Sequence, residues 1–313
     1  MALRDSLRLD GDPCPPLPAG PPYSCRELAD WLGIAFTMPP ADPRIKDIFE
    51  GEPAPTPPLD NLAGARTWWE EHPDWMEILD PESPNHEGKM LERELYLESW
   101  RPFLPARARV LDLGGGVGRF TDWMLQRDCE VELVDPDLRS LWRALSAVVG
   151  GPGKVDLHWA TGETLPDLAP VDVALAVEVL CYAEDPARVM ENLRRVLKPD
   201  GVLLLSVEAR WGWAMSADSH DGTIDAFLSD GIVHVPGDRW IRTYTEEMVL
   251  ELLAGWRIEN LVPTHYAFSG PFEFSTGAME VEEALALEAR LRAHPVSRPL
   301  NRAWAVVARP PPR

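Results

Sequence analysis

Residues 110–120 read Val-Leu-Asp-Leu-Gly-Gly-Gly-Val-Gly-Arg-Phe, VLDLGGGVGRF, and the fold turns on this stretch. Val110, Leu111 and Leu113 surround one acid, Asp112, in the manner of a strand buried on both faces. Gly114, Gly115, Gly116 and Gly118 follow, and an amphipathic run begins at Arg119. Without side chains such a turn lets a ligand approach the backbone, with N–H groups pointing outward ahead of a helix. That is how a parallel sheet presents a nucleotide-like cofactor.

Outward from the turn, strand-like runs lie at 108–113, 130–135, 154–159, 171–177, 201–208, 256–262 and 302–309. Amphipathic helical runs separate them at 117–127, 137–149, 185–198 and 245–255. This alternation predicts an α/β fold: a seven-stranded, mostly parallel sheet with helices on both faces and a hairpin-like last pair of strands. The run at 185–198 is the clearest. Asp185 stands at the N-cap, Pro186 at the first helical position, and Val189, Leu193 and Val196 make one apolar stripe before Lys-Pro-Asp-Gly ends the helix.

Residues 1–60 are dense in proline, which removes backbone donors and disfavours helix and central strand alike. We read them as an extended strap, broken by a short helix at 24–36 that Ser24 caps. Two further helices are expected at 62–79, with Trp68, Trp69 and Trp75, and at 89–104, with Leu91, Leu95 and Leu97 among charges. The acidic amphipathic stretch 278–294, with Leu285, Leu287 and Leu291, is read as packing on its own sheet, with pairing into a homodimer left open.

The formal net charge of −21 over 313 residues narrows the partners. A nucleic-acid binder needs a basic face, and none is visible in the sequence; an anionic membrane surface would repel this chain. Cys14, Cys25, Cys129 and Cys181 form no CxxC pair, and a Cys14–Cys25 disulfide is not favoured. No metal site is expected, the spacing of His220 and His234 being too irregular. The first residues lack an apolar run, and a cytoplasmic location is the expectation.

Asp135 ends the second strand-like run, where a carboxylate can accept from both hydroxyls of a ribose. A dinucleotide site would continue as G-x-G-x-x-G, but Arg119 stands at the third glycine's place. Here the glycines run G-G-G-x-G behind Asp112, which disfavours a dinucleotide.

VLDLGGGVG with Asp135 resembles the S-adenosylmethionine site of the class I methyltransferases. Val171-Asp172 and the segments 177–186, 193–207, 244–261 and 301–310 are similar, in the same order, to later segments of that superfamily. The resemblance covers about residues 90–265 and returns at 302–309. It implies a Rossmann-like methyltransferase domain over 90–313, behind an N-terminal extension and cap helices over 1–89. A substrate-covering insertion then lies at 209–243, after the fifth strand.

It also implies S-adenosylmethionine as cofactor, with contacts from Asp112, Gly114, Gly115, Gly116, Asp135, Pro136, Gly162, Glu163 and Val177. Relatives often carry Asp-Ala where this chain has Thr161-Gly162, so adenine recognition falls to backbone, the Thr161 hydroxyl or Glu163.

Methyl transfer from a sulfonium is a direct displacement, and a base is needed only when the nucleophile arrives protonated. Some ubiquinone-type O-methyltransferases carry Glu-His where Cys181-Tyr182 stand, so their His- or metal-assisted chemistry does not carry over. Glu178, Tyr182 and His265 are the catalytic candidates: Glu178 as base or ammonium anchor, Tyr182 as pocket wall, His265 as base. Trp69, Trp213 and Trp240 are the substrate-binding candidates, since an indole offers a π-face to rings and cations. The expected substrate is a small aromatic or heteroaromatic molecule, as in secondary metabolism, methylated at C, N or O. A cofactor-binding enzyme that catalyses a rearrangement and a catalytically silent partner protein are the alternatives.

Overall fold

The computed structural model of the protein describes residues 36–37, 77–137, 140–141, 143–144, 152–215, 228, 230–235, 239–268, 270–272 and 281–311. Apart from Phe36 and Thr37, which form a strand where the helix expected at 24–36 would end, the proline-rich strap lies outside these residues. So do Cys14, Cys25, Trp68, Trp69, Trp75, His220 and the side chain of His234. Of the helix expected at 62–79 only 77–79 are described, and they form a tight turn.

All seven strand-like runs form strands: β2 (Arg109–Leu113), β3 (Glu130–Asp135), β4 (Lys154–Trp159), β5 (Val171–Val177), β6 (Leu197–Glu208), β9 (Arg257–Thr264) and β10 (Ala303–Arg309). An eighth, β1 (Phe36–Thr37), adds to one edge beside β4. The order is β1-β4-β3-β2-β5-β6-β10-β9, and only β10 runs antiparallel to its neighbours. Strands β9 and β10 pair without a tight turn, because residues 265–302 intervene with helix α6 (Val281–Ala293). The glycine turn follows β2, where the strand order reverses direction.

Helices α1 (His86–Trp100) and α2 (Arg119–Leu125) cover one face of the sheet. Leu97, Trp100, Phe120 and Met124 pack there with Val110, Leu133 and Leu175. On the other face, α3 (Pro186–Val196) and α5 (Glu246–Leu252) place Val189, Leu193 and Val249 with Leu111, Leu113, Ala174 and Val306. Each such buried side chain contributes about 1.5–3 kcal/mol. The caps follow local chemistry: the Asp185 side chain accepts from Arg188 N, and the Thr245 side chain from Met248 N.

Two helices bury something other than a leucine stripe. On α1 the buried face is Glu92, Leu95, Tyr96, Leu97 and Trp100. On α6 it is Ala284 and Glu288, while Leu285 is exposed. Buried acids need partners, and both acids find theirs at the carboxyl end of the sheet.

The insertion 209–243 contains α4 (Arg210–Met215) and a hairpin, β7 (Ile232–Val235) with β8 (Arg239–Arg242). Arg242 N donates to Cys181 O, and Tyr244 Oη to Leu180 O, which stitch the insertion to the loop after β5. Cys181, Trp213, Val233 and Ile241 form a small separate core at that junction. Among the described residues, no helix is long and apolar enough to cross a membrane.

Candidate active site

The glycine turn has the geometry its composition suggests. Gly114, Gly116 and Gly118 have φ of 66°, 56° and 90°, a region that L side chains enter at a cost. A Cβ on Gly114 would stand 2.4 Å from Val179 Cγ2, so the turn lies against the segment after β5. A Cβ on Gly116 would meet nothing within 4 Å, which leaves its upper side open to a ligand.

Two carboxylates support the turn from below and beside. Asp112 is buried and accepts a 2.6 Å hydrogen bond from Thr121 Oγ1. Burial pushes its carboxyl up to about 6, although the Thr121 bond opposes the shift. Asp135 accepts from Gly116 N at 2.9 Å and from Asp137 N at 2.8 Å. Burial, followed by the charge of Asp137, pushes its carboxyl up to about 7. Half-buried Pro136 accepts from Trp159 Nε1 through its carbonyl at 3.0 Å.

The segment after β4 is occupied with its own structure. The carbonyls of Gly162 and Glu163 accept from Asn192 Nδ2, and Glu163 Oε1 accepts from the N–H groups of Glu184 and Asp185. Thr161 is tied to Thr164. Val177 is half-buried and pairs with Ser206 across β5 and β6.

The catalytic candidates Glu178 and His265 come together through Tyr96, which sequence reasoning did not single out. Tyr96 Oη donates to Glu178 Oε1 at 2.8 Å, and the Tyr96 ring centroid lies 4.4 Å from that of His265. Burial, then Glu178, holds the Tyr96 phenol well above its usual range, so it stays a donor. Glu178 itself has φ 56°, held by its N–H on Ser206 Oγ. His265 has φ 63° and is 2% exposed, and neither ring nitrogen has a hydrogen-bond partner among the described residues. Burial lowers its pKa, opposed by Glu92, Glu288 and Glu178.

Further charges close the cluster. Glu92 pairs with Lys89 at 2.7 Å and with Arg119 at 3.0 Å. Burial alone would raise the Glu92 carboxyl, but Lys89 and Arg119 more than offset it and hold the group low. Glu208 pairs with Arg302 and accepts from Trp213 Nε1 at 2.9 Å. The Arg302 guanidinium lies 4.1 Å from the centroid of the Trp213 ring. Tyr182 packs beside Trp213, whereas Trp240 is 1% exposed with the Arg242 guanidinium 5.5 Å from its ring. The structure thus brings Glu178 and His265 together, sets Tyr182 and Trp213 toward the insertion, and packs Trp240 inside. For Glu92 and Tyr96 a signal existed: spaced four apart on one helix, they share a face. Glu208, Glu288 and Arg302 lay inside or beside apolar runs and gave none.

A glycine turn at the end of a central parallel strand, with a carboxylate closing the next strand, defines a cofactor-binding α/β enzyme of the doubly wound type. Residues 88–266, more than half of the chain, match the family model described as a methyltransferase domain. The chain belongs to that family. An uncharacterized methyltransferase of Mycobacterium tuberculosis is 38% identical over 115 residues, 35% of this chain and 45% of that protein. The tRNA 5-carboxymethoxyuridine methyltransferase of Escherichia coli is 37% identical over 106 residues, 32% of this chain and 40% of that protein. The chain thus spans less than half the length of these curated relatives. Among solved structures, 1,6-didemethyltoxoflavin-N1-methyltransferase of Burkholderia thailandensis superposes with a TM-score of 0.50 at 18% identity, over 83% of this chain and 94% of that one. At that identity the likeness speaks for the fold.

The residues present suit the S-adenosylmethionine expected from the sequence. The open side of Gly116 gives room for it, and Asp135, bonded here to Gly116 N, supplies a carboxylate for a ribose.

Proposed function

We propose that the chain transfers the methyl group of S-adenosylmethionine directly to a small aromatic or heteroaromatic molecule, at a C, N or O atom. The observation that carries this reading is the Tyr96–Glu178–His265 cluster, next to a segment whose Val179 touches the glycine turn. When bound, the cofactor supplies both the methyl group and its own leaving group. The backbone of Gly114, Gly115 and Gly116, with Asp112 beneath, would line its methionine part. Asp135 would turn from Gly116 N to the ribose hydroxyls, and Pro136, Gly162 and Val177 would border the adenine and the rest of the pocket. Glu163, occupied by the N–H groups of Glu184 and Asp185, supports that wall and is not a primary contact.

Glu178, Tyr182 and His265 would face the acceptor, with Trp213 and Arg302 above them as a stacked aromatic and cationic wall. Trp240 is better placed to hold the insertion together, being a buried residue of its hairpin. A small-molecule acceptor, in a cytoplasmic setting and with no nucleic acid or membrane partner, is favoured by the net charge of −21. That charge weighs against a tRNA substrate like the one named for the Escherichia coli relative, since polyanions bind through basic surfaces.

The test is incubation with methyl-labelled S-adenosylmethionine and a panel of aromatic acceptors, alongside a bulk tRNA arm. Label in a small aromatic product supports the reading, while label only in tRNA sinks the substrate class. Cofactor binding with neither adenosylhomocysteine nor product formed would favour a catalytically silent partner protein, and a rearranged substrate with the cofactor intact would favour the rearrangement.

A further inference from the structure

Glu288 spends its carboxylate on three successive backbone groups: Oε1 accepts from His265 N, and Oε2 from Tyr266 N and Ala267 N, each at 2.8 Å. It is 1% exposed and sits on α6, the helix placed between β9 and β10. His265 follows β9 directly and takes φ 63°, which costs a non-glycine residue about 1–2 kcal/mol. From the other side, Arg302 N donates to His265 O at 3.0 Å. Held this way, the imidazole faces Tyr96 and not the interior of the sheet.

The ring so held is buried, and neither nitrogen is satisfied among the described residues. The groups that act on it are Glu92 and Tyr96 from α1, Arg119 from α2, Glu178 from the loop after β5, and Glu288 from α6. Glu92 is committed to Lys89 and Arg119, Glu178 Oε1 to Tyr96, and Glu288 to backbone. A neutral imidazole offers one N–H and one lone pair, and leaving both unmet in a buried site is costly. A hydroxyl group is the complement of that lone pair. An amine, once neutral, attacks with its own lone pair and has no need of it.

We propose that the acceptor is a hydroxyl compound of phenol or enol type whose proton passes to His265, and that Glu288 is the positioning residue that holds this imidazole in place. This rests on the methyl-transfer reading above. As the acceptor O–H breaks, its proton goes to the free ring nitrogen and the oxygen forms the new O–CH3 bond. The S–CH3 bonding pair stays on sulfur. A sulfonium and a neutral hydroxyl become a neutral thioether, a methyl ether and an imidazolium, which then loses its proton to solvent.

The test needs no natural substrate. Protein labelled with ring-15N histidine is saturated with S-adenosylhomocysteine and titrated with phenol as the O–H probe and benzylamine as the amine probe. The His265 signal is assigned by its loss in His265→Gly. In the wild type, phenol is expected to shift the His265 ring signal and benzylamine is not. In Glu288→Gln the ring should lose its contact with Tyr96 and phenol binding should weaken roughly tenfold, with adenosylhomocysteine affinity unchanged. His265→Gly, which tolerates the backbone turn, covers the case in which Glu288→Gln does not fold; it too should bind phenol weakly. The proposal is overturned by a Tyr96 contact and ring signal identical in Glu288→Gln and wild type, by full phenol affinity in His265→Gly, or by a shift with benzylamine alone. Failure of the wild type to bind adenosylhomocysteine would count against the methyl-transfer reading instead, because the Glu288 comparison is still readable.

Discussion

Tyr96 on α1 donates its hydroxyl hydrogen to Glu178 just beyond β5, 82 residues along the chain, at 2.8 Å. The bond joins a helix preceding the sheet to the strand end next to the glycine turn. Its consequence is geometric: the carboxylate is oriented by a donor whose proton is held firmly, since burial and Glu178 both raise the phenol pKa.

Tyr96→Phe keeps the ring that stacks on Trp100, at 4.9 Å between centroids, and deletes only the donor. A hydrogen bond to a charged group is worth about 1.5–3 kcal/mol. Methyl transfer should therefore fall roughly 10–100-fold in kcat/KM, with cofactor affinity unchanged and only a modest drop in the urea midpoint. A kinetic assay beside a cofactor titration checks this, and equal losses in both would show that the bond serves the cofactor pocket.

The glycines separate fold from function. Gly114→Ala would press its Cβ to 2.4 Å from Val179 Cγ2 at φ 66°, so stability and cofactor binding should both fall. Gly116→Ala meets nothing within 4 Å and bears only the left-handed backbone cost of about 1–2 kcal/mol. Its methyl group instead takes the space open to a ligand, so cofactor affinity should drop by about tenfold or more, out of proportion to stability. Calorimetric titration and thermal unfolding of both variants measure the contrast.

The sheet was legible in the sequence because β2 to β6, β9 and β10 are apolar runs separated by amphipathic helices, and because the glycines, Asp185 and Pro186 mark local conformations. The candidate site was legible only where it is built from backbone or strand ends, as at Gly114, Gly116, Asp135 and Glu178. Arg302 and Glu288 were not, because their meaning is long-range. Glu288 looked like one more acid on an acidic helix until its carboxylate was seen on three N–H groups 21 to 23 residues away. Trp213 was legible as an aromatic but not as the lid of a Glu208–Arg302 pair, a relation that exists only once β6 and β10 lie side by side.

That relation is testable at Trp213. Trp213→Phe keeps an aromatic face for Arg302 but removes the N–H that bonds Glu208. Glu208 retains Arg302, so the expected cost is about 1–2 kcal/mol in denaturant unfolding. Trp213→Ala also loses the packing with Cys181, Val233 and Ile241 and should cost about 3–5 kcal/mol. If acceptor affinity also tracks the aromatic face, the Phe variant should keep it and the Ala variant lose it. Unchanged acceptor affinity in a folded Ala variant would remove Trp213 from the substrate wall.

Asp135 gives the sharpest pH dependence. In the ligand-free chain its carboxyl is pushed up to about 7, by burial first and the Asp137 charge second, against an ordinary value of 3.8. Between those values the folded state holds a proton that the unfolded state has released. Stability from this group therefore falls as pH rises from about 4 to about 7, with a slope of at most about 1.4 kcal/mol per pH unit. Asp112, pushed up to about 6, adds to the same trend. Cofactor binding should run the other way, because two ribose hydroxyls donate and the carboxylate must be ionised to accept from both. Affinity for S-adenosylmethionine should rise between about pH 6 and 8, and binding near pH 6.5 should release a proton. Calorimetry in two buffers of different ionisation enthalpy measures that proton directly. Asp135→Asn should abolish the proton release and weaken binding at least about tenfold. Tight, pH-independent binding by that variant would show that the ribose is held elsewhere.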